Sequence, residues 1–310
     1  MPNNGNHFPV LPGSTRMTIL YSSDLTPLQI LMPLALLPGI PLALLYAFYL
    51  WWQKNRDEKG KSPFESQPRP AGWSLQRRCE DLGLDYLADL CLLFMVGIIG
   101  MVTVMVSRSW LAFWAVCLPI SGWLCWRIIR SFKNMANCRL GLKGEQLVGV
   151  RLEELRAHGC LVFHDLEVTG KGQKPWNIDH ILVAPAGVFV IETKCRRKVI
   201  KKDKTAPKGH VVIFDGMSLQ FPFGSDRHGL DQATRNATYL RDLLKAQNPT
   251  PIPVNPVLVL PGWWVERKGK GDVAVVNEKE LAKLLIFSPV ILPPDLQRAV
   301  GNQIGSLCRT

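Results

Sequence analysis

Two acidic residues and a lysine stand at the ends of neighbouring apolar runs in the second half of the chain. Asp179 interrupts one run, and Glu192 and Lys194 close the next. If both runs are strands, side chains alternate between faces, so Glu192 and Lys194 share a face. A two-residue turn at Pro185-Ala186 would place Asp179 directly opposite Glu192 on that face. A looser turn or a bulge would change this register.

Facing carboxylates of this kind would repel each other unless a cation lies between them. Carboxylate oxygens suit Mg²⁺ or Mn²⁺, which makes Asp179 and Glu192 candidate metal ligands. Lys194 could then steady an attacking water and the negative charge of a phosphoryl transition state. The alternative is a solvated aspartate on one strand and an ordinary Glu–Lys ion pair at the end of the other. Spacing alone leaves both interpretations open.

A basic segment, Lys194–Lys208, follows directly, with Asp203 as its one acidic residue. Nucleic-acid backbones favour such clusters because each neutralised phosphate releases counterions. The predicted nucleic-acid contacts are Arg196, Arg197, Lys198, Lys201 and Lys202. The alternatives are a solvated loop or a patch lying against anionic lipid. No aromatic residue interleaves these charges, so base stacking on this segment is not indicated.

The elements that must position these residues predict a mixed α/β domain. A helix over 143–158 precedes the paired strands, and a helix over 230–247 follows them. Strands are expected at 160–168, 177–184, 188–194, 198–200, 211–214, 255–260 and 272–276, and closing helices at 278–286 and 294–307.

Four short motifs occur in order along this region: Gly141-Leu-Lys-Gly-Glu145, Asn177-Ile-Asp179-His180, Val190-Ile-Glu192-Thr-Lys194, and Asp231-Gln232-Ala233 with Leu240. Together they resemble the nuclease-related domain family, itself similar to the PD-(D/E)XK restriction-endonuclease-like superfamily, over about 140–262. The resemblance implies a restriction-endonuclease-like mixed sheet flanked by helices. It also implies an active centre of Glu145, Asp179, Glu192 and Lys194, with the three carboxylates as metal ligands and Gln232 contributing from the next helix. Cys195 departs from the pattern, in which a polar residue often follows the lysine.

Three members of these motifs also have simpler explanations. Glu145 could be a glutamate at a helix start, where the helix dipole favours negative charge. Gln232 could be a surface glutamine of an amphipathic helix. His180 should face away from Asp179 on its strand, so we expect it to be structural.

The first part of the chain contains three apolar runs, at 30–52, 90–106 and 110–126, which predict an all-α membrane module. About 20 apolar residues cross a bilayer core. Trp110, Trp114, Trp123 and Trp126 favour the membrane because indoles gather at its interfaces. A signal peptide is the alternative for the first run. A buried soluble hairpin is the alternative for the other two.

Basic residues predict how this multi-pass module is oriented. They are concentrated in the linker 53–89, which could hold a short helix near 75–87, and again after residue 126. In the tail 1–29, Arg16 is the only lysine or arginine. The positive-inside rule therefore places the N-terminus outside, and the domain at 140–262 with its α/β extension at 263–310 in the cytosol. The net charge of +12 suits anionic partners, although cytosolic loops beside membrane helices are basic in any case.

The sequence therefore predicts a membrane-anchored nuclease that hydrolyses DNA or RNA with Mg²⁺ or Mn²⁺, with nucleic acid and the lipid bilayer as partners. The main alternative is a catalytically inactive module that tethers nucleic acid or another partner to the membrane. A purely structural membrane protein is the third possibility, but it leaves the charged hairpin unexplained. The eight cysteines include no C-x-x-C pair, which argues against a zinc site of the usual spacing and suits reduced thiols in the cytosol.

Overall fold

The computed structural model describes residues 42–51, 67–107, 110–169, 174–198, 209–248, 250–286 and 289–308. Helices within these ranges are α1 (Leu42–Trp51), α2 (Trp73–Ser107), α3 (Trp110–Glu153), α4 (His228–Lys245), α5 (Leu281–Ile286) and α6 (Pro294–Leu307). A short 3₁₀ helix, Glu154–His158, follows α3. The strands are β1 (Leu161–Val168), β2 (Trp176–Ala184), β3 (Gly187–Thr193), β4 (Val211–Phe214), β5 (Leu219–Phe221), β6 (Gly224–Asp226), β7 (Val254–Val259), β8 (Trp264–Arg267) and β9 (Ala274–Val276).

A five-stranded mixed sheet of order β1-β2-β3-β7-β9 forms the centre of the domain. β1, β2 and β3 are antiparallel to one another, while β3, β7 and β9 run parallel. Ala184 pairs with Gly187 and His180 with Ile191, so the turn at Pro185-Ala186 has two residues, which is the tighter of the alternatives that the sequence left open.

Helices cover both faces of this sheet, and its central strands are therefore buried on both sides. Val188 and Val190 of β3 belong to a core cluster with α4 and α6. Phe189 and Ile191, the alternate residues, pack with Val148 and other apolar residues near the end of α3. The predicted mixed α/β domain is confirmed, and every residue of β3 is buried.

A second sheet, of order β6-β5-β4-β8, packs beside the first around Trp263 and Phe214. The residues of the predicted C-terminal extension contribute one strand to each sheet, in addition to α5 and α6. β8 pairs with β4, and β9 forms the edge of the central sheet. Such pairings between distant strands leave no local sign in the sequence.

The N-terminal region is helical, and its two long helices differ from expectation in extent. Residues 73–89, expected to belong to a linker, form the first half of α2 and continue into the apolar run at 90–106 without a break. The apolar run at 110–126 likewise continues through Pro119 to Glu153 as the single helix α3. The first apolar run lies largely outside the described residues.

Polar contacts between α2 and α3 include an ion pair and a pair of thiols. Arg127 makes a two-pronged ion pair with Asp89, with Nη2–Oδ1 at 2.9 Å and Nε–Oδ2 at 3.2 Å. Asp89 is buried although its side chain is charged, with only 1% of the residue exposed. Nearer the domain, the Sγ atoms of Cys79 and Cys138 lie 2.7 Å apart.

By length and composition, one helix among the described residues could cross a membrane. It is Trp73–Val104 within α2, with a most apolar window of mean hydropathy 2.4. Only 11% of that window is buried, which is unlike the core helix of a soluble domain. Three spans with a fixed orientation stay a prediction.

Candidate active site

A cleft of about 470 Å³ opens beside the ends of β2 and β3 and brings the predicted catalytic residues together. Its walls come from α2, α3, α4 and the β2–β3 hairpin. We call this space the cleft; its lining includes Ser74, Leu75, Arg78, Asn137, Gly141, Glu145, Trp176, Asn177, Asp179, Glu192, Thr193, Lys194, Cys195 and Gln232.

Asp179 and Glu192 occupy neighbouring positions on β2 and β3. The ladder pairs His180 with Ile191, so one further step places Asp179 opposite Glu192. The backbone N–H of Thr193 donates to Asp179 Oδ2 at 2.8 Å, which fixes that carboxyl against the end of β3. Glu192 is 1% exposed.

Lys194 connects the strand carboxylate to the following helix. Its Nζ lies 2.8 Å from Glu192 Oε1 and donates to Gln232 Oε1 of α4 at 2.9 Å. Its backbone N–H donates to Val259 O at 2.9 Å, so β7 holds the residue in place just beyond β3. The predicted neighbourhood of Glu192, Lys194 and Gln232 is therefore present as a hydrogen-bonded group.

Glu145 lines the same cleft from α3 and is 7% exposed. It does not begin a helix, because α3 starts at Trp110; the helix-start explanation for this residue was wrong. Gly144 explains how α3 comes so close to the hairpin. A Cβ at this position would lie 1.8 Å from Cys195 Sγ, so Cys195 packs directly against the backbone of α3.

Burial and mutual repulsion make the carboxylates costly to ionise. Burial, then the charges of Asp165 and Glu192, raise the pKa of Glu145 to about 8. Burial, then Glu192 and Glu145, raise the pKa of Asp179 well above its ordinary value. The pKa of Glu192 is also raised by burial, although Lys194 opposes the shift. Extra positive charge in the cleft would therefore stabilise the ionised site.

The donor set suits a hard divalent cation, but it is not arranged as a ready site. Among the described residues, no three His, Cys, Asp or Glu side chains are placed so that they could hold a metal ion. Protein donors occupy part of the carboxylate oxygens, since Thr193 binds Asp179 and Lys194 binds Glu192. The set consists of carboxylate oxygens, which are the ligands that Mg²⁺ and Mn²⁺ prefer. The residues present therefore fit either ion in ligand type.

Sequence reasoning missed two polar residues that support the site. Asn236 is fully buried and donates from Nδ2 to Glu192 Oε2 at 3.0 Å. It lies one helical turn after Gln232, so the spacing could have revealed it. Asp165, in β1, is 1% exposed with a φ of 54°. It has no comparable signal, because its role depends on contacts with α2.

Asp165 holds the start of α2 against the edge of the cleft. Its Oδ2 accepts from the backbone N–H of Ser74 at 2.7 Å, and its Oδ1 accepts from Ser74 Oγ at 2.7 Å. Asn177 of β2 donates to the same Oδ1, also at 2.7 Å. Asp165 thus caps a helix distant in sequence and ties it to the strand that carries Asp179.

The predicted nucleic-acid contacts are only partly described. Arg196 pairs with Asp226, and Arg197 donates to Asn137 Oδ1 at 3.3 Å. Lys198 is exposed. Lys201 and Lys202, with the suggested strand residues 199 and 200, lie outside the described residues.

His180 agrees with its expected structural position. It is fully buried, and its Nδ1 lies 2.8 Å from Nδ1 of His164. It is not among the residues that line the cleft. Burial, then His164, lower the pKa of His180 well below its ordinary value, so the ring is neutral.

Residues 140–261 match the family model of the nuclease-related domain. The matched segment, less than half of the chain, contains Glu145, Asp179, Glu192, Lys194 and Gln232. Its architecture is consistent with a restriction-endonuclease-like fold. Comparison with curated proteins and with solved structures gives no match.

Proposed function

We propose that this protein is a membrane-anchored phosphodiesterase that cleaves nucleic acid with the help of a divalent cation. The similarity to nuclease-related domains supports a nuclease-related role in general terms. The specific observation behind the proposal is the position of Lys194. Its ammonium group lies between Glu192 and Gln232, in a cleft shared with Asp179 and Glu145.

Each of these residues has a distinct part in the proposed reaction. Asp179, Glu192 and Glu145 would hold Mg²⁺ or Mn²⁺, which supplies Lewis acidity and a more acidic bound water. Lys194 donates hydrogen bonds to the attacking water and to the phosphoryl oxygens that gain negative charge. Gln232 and Asn236 orient Lys194 and Glu192 from α4, so that the donors need little rearrangement.

Charge supports nucleic acid, DNA or RNA, as the substrate class. The basic segment follows Lys194 directly and belongs to a chain of net charge +12. For the membrane module we propose three spans, with the N-terminus outside and the domain in the cytosol. The exposed apolar surface of α2 supports at least one such span.

One observation favours a second candidate, a binding module that does not cleave. The described residues contain no ready group of three metal ligands, and Lys194 is already paired with Glu192. In this alternative, the same cleft and basic segment would tether nucleic acid at the membrane without hydrolysis.

Cleavage and metal binding by site variants distinguish the candidates. We would incubate the detergent-purified full chain with single- and double-stranded DNA and RNA, in Mg²⁺, Mn²⁺ or chelator. Asp179→Asn and Glu192→Gln should abolish cleavage and weaken Mn²⁺ binding by calorimetry. Lys194→Ala should keep Mn²⁺ binding while cleavage falls on the order of 10²–10³-fold, because its hydrogen bonds form with the transition state.

Glu266→Gln is the matched control, since this carboxylate is exposed and outside the cleft. It should leave both measurements unchanged. If the parent binds nucleic acid but cleaves under no metal, the binding module is correct. If Asp179→Asn and Glu192→Gln bind Mn²⁺ like the parent, the metal assignment fails.

A further inference from the structure

We propose that Arg78, on α2, binds a backbone phosphate of the nucleic acid in the cleft. The inference rests on the proposed function, but it assigns a substrate contact to a residue outside the segment that matches the family model. Arg78 stands in the stretch expected to be a polar linker.

The start of α2 forms a fixed wall of the cleft. Ser74, Leu75 and Arg78 line it from the first turns of the helix. Asp165 anchors this end through its bonds to Ser74, and Arg69 adds a hydrogen bond to Asp165 O at 3.2 Å. Arg78 therefore lines the cleft from a helix whose first turn is fixed by hydrogen bonds to Asp165.

Among the described residues that line the cleft, Arg78 is the cation without an ion-pair partner. The described lining contains two cationic side chains, Arg78 and Lys194, and Lys194 is bound to Glu192 and Gln232. Arg78 is exposed, and it has no ion-pair partner within the described parts of the chain. By contrast, Arg196 beyond β3 is already paired with Asp226.

A phosphate entering this cleft needs such a group. Glu145, Asp179 and Glu192 line the same space, and their negative charge would repel the substrate backbone. A guanidinium offers several N–H donors in a planar fork that matches two phosphate oxygens, and it stays charged at any physiological pH. Arg78 can therefore hold the strand without engaging the carboxylates proposed as metal ligands.

The consequence is a composite binding cleft. The nuclease-related segment supplies the catalytic carboxylates and Lys194, and the N-terminal helix supplies the phosphate contact. The apolar run that begins at Leu90 lies on the same helix as Arg78, about 18 Å further along at 1.5 Å per residue. Substrate is thus bound close to the membrane-facing part of the molecule.

The test compares Arg78→Ala and Arg78→Lys with Arg139→Ala in the full chain. Arg139 is an exposed arginine of α3 outside the cleft and serves as the matched control. Binding of a labelled single-stranded oligonucleotide in chelator is measured between low and moderate salt, and KM and kcat are measured with metal. Melting temperatures confirm that each variant is folded.

We expect Arg78→Ala to weaken binding about 10-fold or more, as for loss of a hydrogen bond to a charged group. The slope of log affinity against log salt should fall by about 0.7. KM should rise more than kcat falls, since the contact exists before the transition state. Arg78→Lys should recover the slope but not the full affinity, because a lysine cannot bind in two prongs.

Equal slopes and KM values for Arg78→Ala and Arg139→Ala would overturn the assignment while leaving the proposed function intact. A parent chain that neither binds nor cleaves any nucleic acid would overturn both. A parent that binds without cleaving, with a reduced slope in Arg78→Ala, would keep the phosphate contact and reject only the hydrolase.

Discussion

At the scale of single residues, the cleft is a place where burial and function oppose each other. Glu145, Asp179 and Glu192 are all buried, and the pKa of each carboxyl is raised chiefly by burial. A site selected for stability alone would have apolar side chains there. Clusters of buried titratable groups with shifted pKa values in a cleft are typical of functional sites.

This opposition predicts an unusual pH dependence of stability without metal. The pKa of Glu145 rises from 4.5 to about 8 on folding, so the folded state binds the proton more strongly than the unfolded state. Stability from this group is therefore complete below its unfolded pKa and is lost as pH rises towards 8. In chelator, the free energy of unfolding should be lower at pH 8 than at pH 5.

Glu145→Gln should flatten this dependence and stabilise the protein at pH 8, by on the order of a few kcal/mol. Denaturant unfolding at both pH values measures the effect, with Glu266→Gln as the exposed control. If Glu145→Gln and the parent lose stability equally as pH rises, the pKa of Glu145 is not raised in the folded state.

At the scale of elements, two long helices connect the apolar N-terminal region to the cleft. α3 continues from the apolar run at 110–126 to Glu145, and α2 continues from Arg78 into the run at 90–106. The Asp89–Arg127 ion pair joins the helices where both apolar runs meet the polar region. It fixes how far one helix is shifted along the other, and so helps to position Arg78 and Glu145.

Removing one partner should therefore destabilise the helix pair. Asp89→Ala leaves Arg127 without its acceptors and should lower stability by about 1–3 kcal/mol, less than for a fully buried pair because Arg127 is 41% exposed. The double exchange Asp89→Arg with Arg127→Asp should recover part of the loss. Thermal unfolding in detergent measures both.

Arg298→Ala is the control, because it breaks an exposed pair with Asp295 and should have almost no effect. An Asp89→Ala variant as stable as Arg298→Ala would show that the ion pair does not hold the helices together.

At the scale of the whole molecule, the proposed function requires the cleft and the basic segment to reach nucleic acid on one side of a membrane. Basic residues lie in the predicted linker and after residue 126, while the tail before the first apolar run has only Arg16. From this asymmetry we predict that the domain, and the ends of α2 and α3 next to it, lie in the cytosol.

The topology prediction follows from that asymmetry. A reporter fused after Thr310 should be cytosolic, and a reporter fused before Met17 should be external. Protease treatment of inside-out vesicles should digest the C-terminal domain. Protection of the domain under those conditions would contradict the orientation.

The sequence alone determined those features that depend on local pattern. Strand alternation and the two-residue turn at Pro185-Ala186 placed Asp179 opposite Glu192, because short hairpins have few possible registers. Helical spacing likewise predicted α4 to within two residues at each end, whereas the role of Gln232 was implied only by the family resemblance. The bounds of β4 and α6 were predicted to the residue, since apolar runs and a proline mark their ends.

Tertiary structure decided what depends on residues far apart in the chain. The continuity of α2 and α3 was missed because polar residues look like a linker until the helix packs against a neighbour. The pairings of β8 and β9, the capping of α2 by Asp165, and the entry of Arg78 into the cleft all join distant segments. Local patterns do not record such contacts, because their free energy comes from burial and hydrogen bonding between elements that meet only in the folded chain.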